Sequence, residues 1–185
     1  MDTRVLIAVV VGVLVLAIAV WMFMQKRRTD ELRRRYGPEY DRLVQERGDR
    51  RRAEAILEQR EKRVEQLAIR SLTADERARF AEAWRSDQAR FVDDPSRAVA
   101  EADRLVADLM MARGYPVGDF EQRAADISVD HPKVVENYRI AHDIALRERR
   151  GEASTEDLRN AMVHYRALFD DLLADERPVS TEVRP

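Results

Sequence analysis

Residues Val5 to Met24 have the sequence VLIAVVVGVLVLAIAVWMFM, which contains no charged residue and a single glycine, Gly12. Because an α-helix rises about 1.5 Å per residue, a helix over this run is about 30 Å long, which matches the hydrocarbon core of a bilayer. The chain beyond it is polar and has helical periodicity. We therefore expect residues 1–25 to be a transmembrane anchor for the helical region that follows.

The charges on either side of this run indicate its direction. Arg4 is the only basic residue before it and is offset by Asp2, whereas a basic cluster follows closely. The members of the basic cluster are Lys26, Arg27, Arg28, Arg33, Arg34 and Arg35. Basic flanks stay in the cytoplasm, so we expect a single pass through the inner membrane with the C-terminal domain cytoplasmic.

The alternative is a cleaved signal peptide, because Ala17-Ile18-Ala19 fits the small-x-small pattern of a cleavage site. The apolar run continues past that site to Met24. It is therefore longer than a typical signal core of about 7–15 residues. These facts favour an uncleaved span, although sequence alone leaves open whether cleavage ever occurs.

Charge is distributed unevenly along the rest of the chain. Residues 25–70 hold 15 Lys/Arg and 10 Asp/Glu, and residues 71–185 hold 17 and 24. A basic membrane-proximal part suits anionic lipid headgroups, so we expect the basic cluster to bind them. An acidic distal part argues against nucleic acid as a partner, since that partner requires a basic face.

Composition predicts an all-α protein. Charged residues make up 37% of the chain, only six glycines and six prolines occur, and there is no cysteine. Segments rich in Ala, Arg, Glu and Leu favour helices. The absence of cysteine excludes disulfides, thiolate metal ligands and cysteine nucleophiles.

Residues 26–70 are predicted to form a basic helical spacer next to the membrane. Gly37-Pro38 should break the first helix, and Gly48-Asp49 should end the second. A charged helix over residues 50–68 carries a thin apolar seam made of Ala53, Leu57, Val64 and Leu67. A seam of about two heptads is short for a coiled coil, which favours packing within the chain and leaves weak self-association as an alternative.

Residues 71–174 are predicted to form a small helical bundle, followed by a disordered tail over 175–185. A capping box at Thr73–Glu76 and the Asp94-Pro95 pair mark two helix starts. Asp119–Asp126 should add one or two turns, and Asp130-His131-Pro132 should begin another long helix. The four main helices are predicted over 73–92, 95–113, 132–150 and 155–174.

Candidate chemical groups in the bundle have simple structural explanations. His131, His142 and His164 lack the spacing of a metal-binding motif, so capping or structural roles are favoured. The acid pairs Asp93-Asp94 and Asp170-Asp171 are expected to be caps or solvated residues. The aromatic stripe of Phe80, Trp84 and Phe91 is more typical of a core than of a partner-binding surface. We therefore predict no catalytic, cofactor-binding or metal-binding residues.

Four segments carry a resemblance to a known family. They are RRRYGPEYDRL at 33–43, RFAEAWRSDQARFVDDP at 79–95, ARGYPVGDFEQRAADISVDHP at 112–132 and NAMVHYRALFDDLL at 160–173. They resemble a family of uncharacterised bacterial proteins with one N-terminal span and a helical C-terminal region. The resemblance covers most of the chain after the anchor and implies no activity and no site residues.

Two classes of function follow from these features. The first is a non-enzymatic interaction or scaffold module, held at the cytoplasmic membrane surface, with the bilayer and an unknown protein as partners. The alternative is a helical enzyme or metal-binding protein whose site the sequence does not display. A filled core would favour the first class, and a pocket lined by ionisable groups would favour the second.

Overall fold

The computed structural model describes residues 3–116 and 118–174, and the side chains of residues 3–11 and 15 lie outside the description. The predicted disordered tail over 175–185 also lies outside it. Within the described residues the chain is all-helical, which confirms the all-α part of the predicted fold class. The helices are α1 (Thr3–Tyr36), α2 (Pro38–Arg47), α3 (Arg50–Val64), α4 (Ala74–Arg90), α5 (Pro95–Ala112), α6 (Phe120–Asp130), α7 (Val135–Arg149) and α8 (Thr155–Ala174).

The predicted span Val5–Met24 lies within α1, but the side chains of residues 5–11 and 15 are not among those described. Of the helices in the described part of the chain, none is both long enough and apolar enough to cross a membrane. The transmembrane anchor therefore stays a prediction.

Two compact units make up the chain, and they divide between Glu54 and Ala55, inside α3. This division falls earlier than residue 71, where the bundle was expected to begin. In the first unit α2 packs on α1, and the buried apolar residues include Leu32, Tyr36, Tyr40 and Leu43.

Glycine sets the breaks in the first unit at the predicted places. Gly37 has φ 51° just before Pro38, the first residue of α2. Gly48 has φ 65° and its N–H donates to the Val44 oxygen, which ends α2. Positive φ is costly for residues with a Cβ, so glycine is favoured at both breaks.

In the second unit α8 lies at the centre of the bundle, packed against α7 and α5, while α4 packs on α5 and α6 packs on α7. The buried residues of α8 include Leu158, Tyr165, Leu168 and Phe169. They recur at helical spacing, which gives the wide apolar face that a central helix needs.

Side-chain caps begin several of these helices as predicted. The Thr73 hydroxyl accepts a hydrogen bond from the Glu76 N–H while the Glu76 carboxylate accepts one from the Thr73 N–H, which is a full capping box. The Asp94 carboxylate accepts from the Arg97 N–H at 3.0 Å, with Pro95 in the first position of α5. Each cap satisfies backbone donors that a helix start leaves unpaired.

The prediction around α6 and the start of α7 was wrong. α6 is a complete helix over Phe120–Asp130, and Asp130-His131 ends it rather than beginning the next. The cause is local: Asp119 caps the start, and the His131 N–H closes the last turn on the Ile127 oxygen. Pro132 follows in a turn, and α7 begins only at Val135.

The apolar seam of α3 is buried within the chain. Ala53 and Leu57 are fully buried and Val64 is 6% exposed. In the second unit the end of α3 is tied to α6, because Arg63 Nε lies 3.0 Å from Asp126 Oδ1 and Arg60 donates to the Ser128 hydroxyl. The structure therefore agrees with intrachain packing, and the seam offers little surface for a coiled coil.

Candidate functional site

The basic cluster lies on the last turns of α1. All six of its side chains are exposed, while Leu32 and Tyr36 on the same helix are buried. The cluster thus occupies the outer face of a helix whose other face packs within the first unit. Exposed guanidinium and ammonium groups next to an apolar run are suited to contact anionic headgroups.

Some members of the basic cluster have intramolecular partners as well. Arg33 Nη2 lies 3.2 Å from Asp41 Oδ1, and Arg34 Nε donates to the backbone oxygen of Asp30. The Arg27 guanidinium lies over the Phe23 ring, 4.7 Å from its centroid. These contacts are solvent-exposed, so they are weak and leave the cations able to exchange partners.

A buried carboxylate fixes α1 where the basic cluster lies. Glu54 Oε1 accepts hydrogen bonds from the Thr29 hydroxyl at 2.7 Å and from the Tyr40 hydroxyl at 3.0 Å. Burial, followed by the hydrogen bond to Glu54, raises the pKa of Tyr40 to about 12. Glu54 therefore joins α1 and α2 to the start of α3 in the first unit.

The second unit contains a polar cluster that sequence reasoning missed. Asp103 on α5 accepts a hydrogen bond from the Tyr165 hydroxyl of α8 at 2.9 Å. His142 Nδ1 on α7 lies 3.7 Å from the same carboxylate, and the Phe120 ring stacks on the His142 imidazole with centroids 3.6 Å apart. We call Asp103, His142 and Tyr165 the Asp103 cluster.

The electrostatics of the Asp103 cluster favour the ionised carboxylate. Burial alone raises the pKa of Asp103, but His142, Tyr165 and the charge of Arg123 together lower it below its ordinary value. Burial and the nearby carboxylate raise the pKa of Tyr165, so its hydroxyl stays protonated and donates a hydrogen bond to Asp103. The cluster is thus a carboxylate charge that accepts a hydrogen bond from Tyr165 and lies near the guanidinium of Arg123.

His142 Nδ1 in this cluster and the Tyr138 hydroxyl beside it have no hydrogen-bond partner. Tyr138 is fully buried, and its ring meets the Tyr165 ring edge-on with centroids 6.3 Å apart. Buried polar groups of this kind are commonly satisfied by ordered water. The arrangement fits a structural polar network. It differs from a catalytic pair, in which a nucleophile lies beside its base and can reach a substrate.

The other histidines also have partners in the bundle. His131 is buried at the end of α6 and its Nδ1 contacts the Asp171 carboxylate. His164 Nδ1 lies 2.8 Å from Asn137 Oδ1. The structural roles expected for these histidines agree with these contacts. Asp171 is exposed, as expected for a solvated residue, and it also contacts a histidine 40 residues away in sequence.

Metal binding has no support from the geometry of the described residues. Across residues 3–116 and 118–174, no three side chains of His, Cys, Asp or Glu come together in a way that could hold a metal ion. Such a group of ligands is the usual minimum for a protein metal site.

Asp87 on α4 is a second group that sequence reasoning missed. Asp87 is 1% exposed, and neither of its carboxylate oxygens has a hydrogen-bond partner. The periodicity of α4 marks the position as inward-facing, since Trp84 is three residues before it and Phe91 four after. A polar residue on an apolar face is therefore the signal that the sequence offered.

No protein-family model, no curated protein and no solved structure matches this chain. The resemblance to bacterial single-span proteins accordingly stays a prediction. Function must be argued from the geometry of the two units.

Proposed function

We propose that this chain is a single-pass membrane protein of the inner membrane, whose helical bundle acts as a non-enzymatic interaction module on the cytoplasmic side. One observation carries the anchor. Between Val13 and Met24, nine large apolar side chains of α1 are between 50% and 66% exposed. Apolar residues exposed on every face of a helix favour a lipid environment, because water would make such a surface prone to aggregation.

The basic cluster supports the direction of the anchor. It follows the exposed apolar segment immediately and is itself exposed. Its positive charges keep that end of the helix in the cytoplasm and place it against anionic headgroups. The Arg27 contact with Phe23 suits the boundary, because the ring lies at the apolar end of the pair and the cation at the polar end.

The filled core of the second unit supports interaction rather than catalysis. Its large buried side chains include Leu109, Ile127, Tyr138 and Leu168, all fully buried. The acidic surface of this part of the chain would be repelled by anionic lipid and would stay available to cytoplasmic proteins. The geometry therefore favours protein binding as the class of function.

Membrane extraction tests the anchor. We expect the full chain to remain in membranes washed with alkaline carbonate and to dissolve only in detergent. Leu14→Arg combined with Ile18→Arg should release it, because each charge at the centre of a span costs about 3 kcal/mol. Val163→Arg is the control, since Val163 is 62% exposed on α8 in the second unit. Release of the parent chain by carbonate would contradict the proposal.

A reporter that is active only outside the cytoplasm tests the direction when it is fused after residue 185. We expect it to be inactive in the parent. Replacing the six residues of the basic cluster by glutamine should produce a mixed population, because the positive flank sets the orientation. Strong activity of the parent fusion would overturn the cytoplasmic placement.

An enzyme is the alternative, and the Asp103 cluster is the observation that favours it. A carboxylate, an imidazole and a phenol converge from three helices there. Native mass spectrometry of the full chain in detergent would detect a small molecule held at this place. Stoichiometric release of such a molecule, lost in Asp103→Asn, would favour the enzyme over the interaction module.

A further inference from the structure

Asp87 stands apart from the other carboxylates of the second unit. Its side chain is 2% exposed, although it lies on α4 among residues that pack on the bundle. Neither of its oxygens receives a hydrogen bond. A buried carboxylate without donors is costly when ionised, and one remedy is to bind a proton.

The groups around Asp87 do little to hold its charge. On its own helix, Arg90 Nη1 lies 3.8 Å from Asp87 Oδ1, beyond hydrogen-bonding distance. On α5, Glu101 repels the charge, and Arg104 is engaged with Glu101 at 3.0 Å.

On the side of α8, the contact with α4 is aromatic, since the Phe169 ring stacks on Trp84. The charges of α8 near Phe169 in sequence are engaged elsewhere: Arg166 and Asp170 are exposed and lie 3.3 Å from each other, and Asp171 contacts His131. Burial, repulsion by Glu101 and the partial offset by Arg90 together raise the pKa of Asp87 to about 6.

We propose that the docking of α4 on α5 and α8 is a proton-controlled latch, in which Asp87 binds a proton when α4 is docked and releases it when α4 separates. The proton neutralises a carboxylate that docking buries without a donor. Separation returns Asp87 to water and exposes the Trp84 and Phe169 rings. The latch concerns the second unit alone and is independent of the proposed anchor.

The direction of the pH dependence follows from the two states of α4. The pKa of Asp87 is about 6 when docked and near its ordinary 3.8 when separated. The docked state therefore binds more protons between these values, so docking is favoured by acid and weakens as the pH rises through about 6. Between pH 5 and pH 8 the equilibrium constant for separation should rise about tenfold.

Amide hydrogen exchange of the full chain in detergent micelles tests the latch. After correction for the intrinsic pH dependence of exchange, protection factors of amides in the second half of α4 should fall about tenfold from pH 5 to pH 8. Amides of α7 serve as an internal reference, because α7 does not carry Asp87. Asp87→Asn should abolish the fall, and Glu82→Gln should retain it because Glu82 is 68% exposed.

A second variant keeps the proposal testable if Asp87→Asn alters folding. Glu101→Gln removes the repelling charge, so the midpoint of the α4 transition should move to lower pH while the transition remains. Protection in the parent that is independent of pH from 5 to 8 would overturn the latch. The latch would also be overturned if a folded Asp87→Asn variant showed the same fall of α4 protection factors from pH 5 to pH 8 as the parent.

Discussion

The indole ring of Trp84 stacks on the phenyl ring of Phe169, with ring centroids 4.6 Å apart and planes 20° from parallel. Trp84 is 4% exposed and Phe169 is 1% exposed, so the pair lies in the core of the second unit. Phe80 and Phe91 of the same stripe are partly buried against that core. The core interpretation of the aromatic stripe is therefore confirmed.

We predict that Trp84→Ala destabilises the second unit by about 3–5 kcal/mol, because it removes a large buried ring and leaves a cavity. A loss of this size is a large part of the stability of an ordinary domain. Denaturant unfolding of the full chain in detergent, followed by circular dichroism, measures the change. Trp84→Phe should lose less, since an aromatic ring can still stack on Phe169.

Met111→Ala is the matched control for Trp84→Ala, because Met111 is 53% exposed on α5. It should change the free energy of unfolding by no more than about 0.5 kcal/mol. Equal stabilities of Trp84→Ala and the parent would mean that the ring contributes no core packing, and would favour a partner-binding role for the stripe.

Helix starts and breaks could be predicted from the sequence because the groups that form them are close along the chain. The Thr73–Glu76 box joins two residues three positions apart, and Asp94 caps α5 through the N–H of Arg97. Gly37 and Gly48 ended their helices as expected. α6 was underestimated because Asp130-His131-Pro132 fits a helix start as well as a helix end.

The polar contacts of the bundle could not be predicted in the same way. Asp103 and Tyr165 are 62 residues apart, and Arg63 and Asp126 are 63 apart. Which helix faces which is decided by packing of the whole unit, and periodicity along one helix carries no such information. The paired acids Asp170 and Asp171 looked alike in sequence, yet one contacts Arg166 and the other contacts His131.

Gly114 and Gly151 provide a matched pair of predictions about backbone space. Both have positive φ, 95° and 72°, but only at Gly114 would a Cβ overlap another group, the backbone oxygen of Ala68. Gly151→Ala should therefore cost about 1–2 kcal/mol from conformation alone. Gly114→Ala should cost clearly more in the same unfolding measurement. Equal losses would show that the segment at Ala68 moves freely.

The ion pair between Arg63 and Asp126 should contribute measurably to the second unit. Asp126 is fully buried and Gln122 also donates to it at 2.8 Å, so loss of Arg63 leaves the carboxylate partly satisfied. Arg63→Met should cost about 1–3 kcal/mol. Arg85→Met is the control, because the Arg85–Glu82 pair is exposed and such pairs are worth about 0–1 kcal/mol. Identical losses of unfolding free energy in the two variants would mean that the ion pair between α3 and α6 does not stabilise the second unit.

The capping box of α4 predicts a loss of stability in acid. The hydrogen bond from Arg70, together with that from the Thr73 N–H, lowers the pKa of Glu76 from 4.5 to about 2. Its contribution is therefore present above about pH 4.5 and is lost as the pH falls towards 2. The difference in unfolding midpoint between parent and Glu76→Gln should shrink over that range. A constant difference would mean that the carboxylate charge is not what stabilises the cap.

The basic cluster should bind anionic lipid through charge. Near an anionic surface each Lys or Arg contributes about 1 kcal/mol, so six such residues outweigh Asp30 and Glu31 among them. A peptide of residues 25–70 should float with liposomes that contain phosphatidylglycerol and stay behind with purely zwitterionic liposomes. Flotation should weaken as salt rises, because screening shortens the reach of these charges. A control peptide with glutamine at the six basic positions should stay behind with both, and equal flotation of the two peptides would assign binding to the apolar residues of the segment.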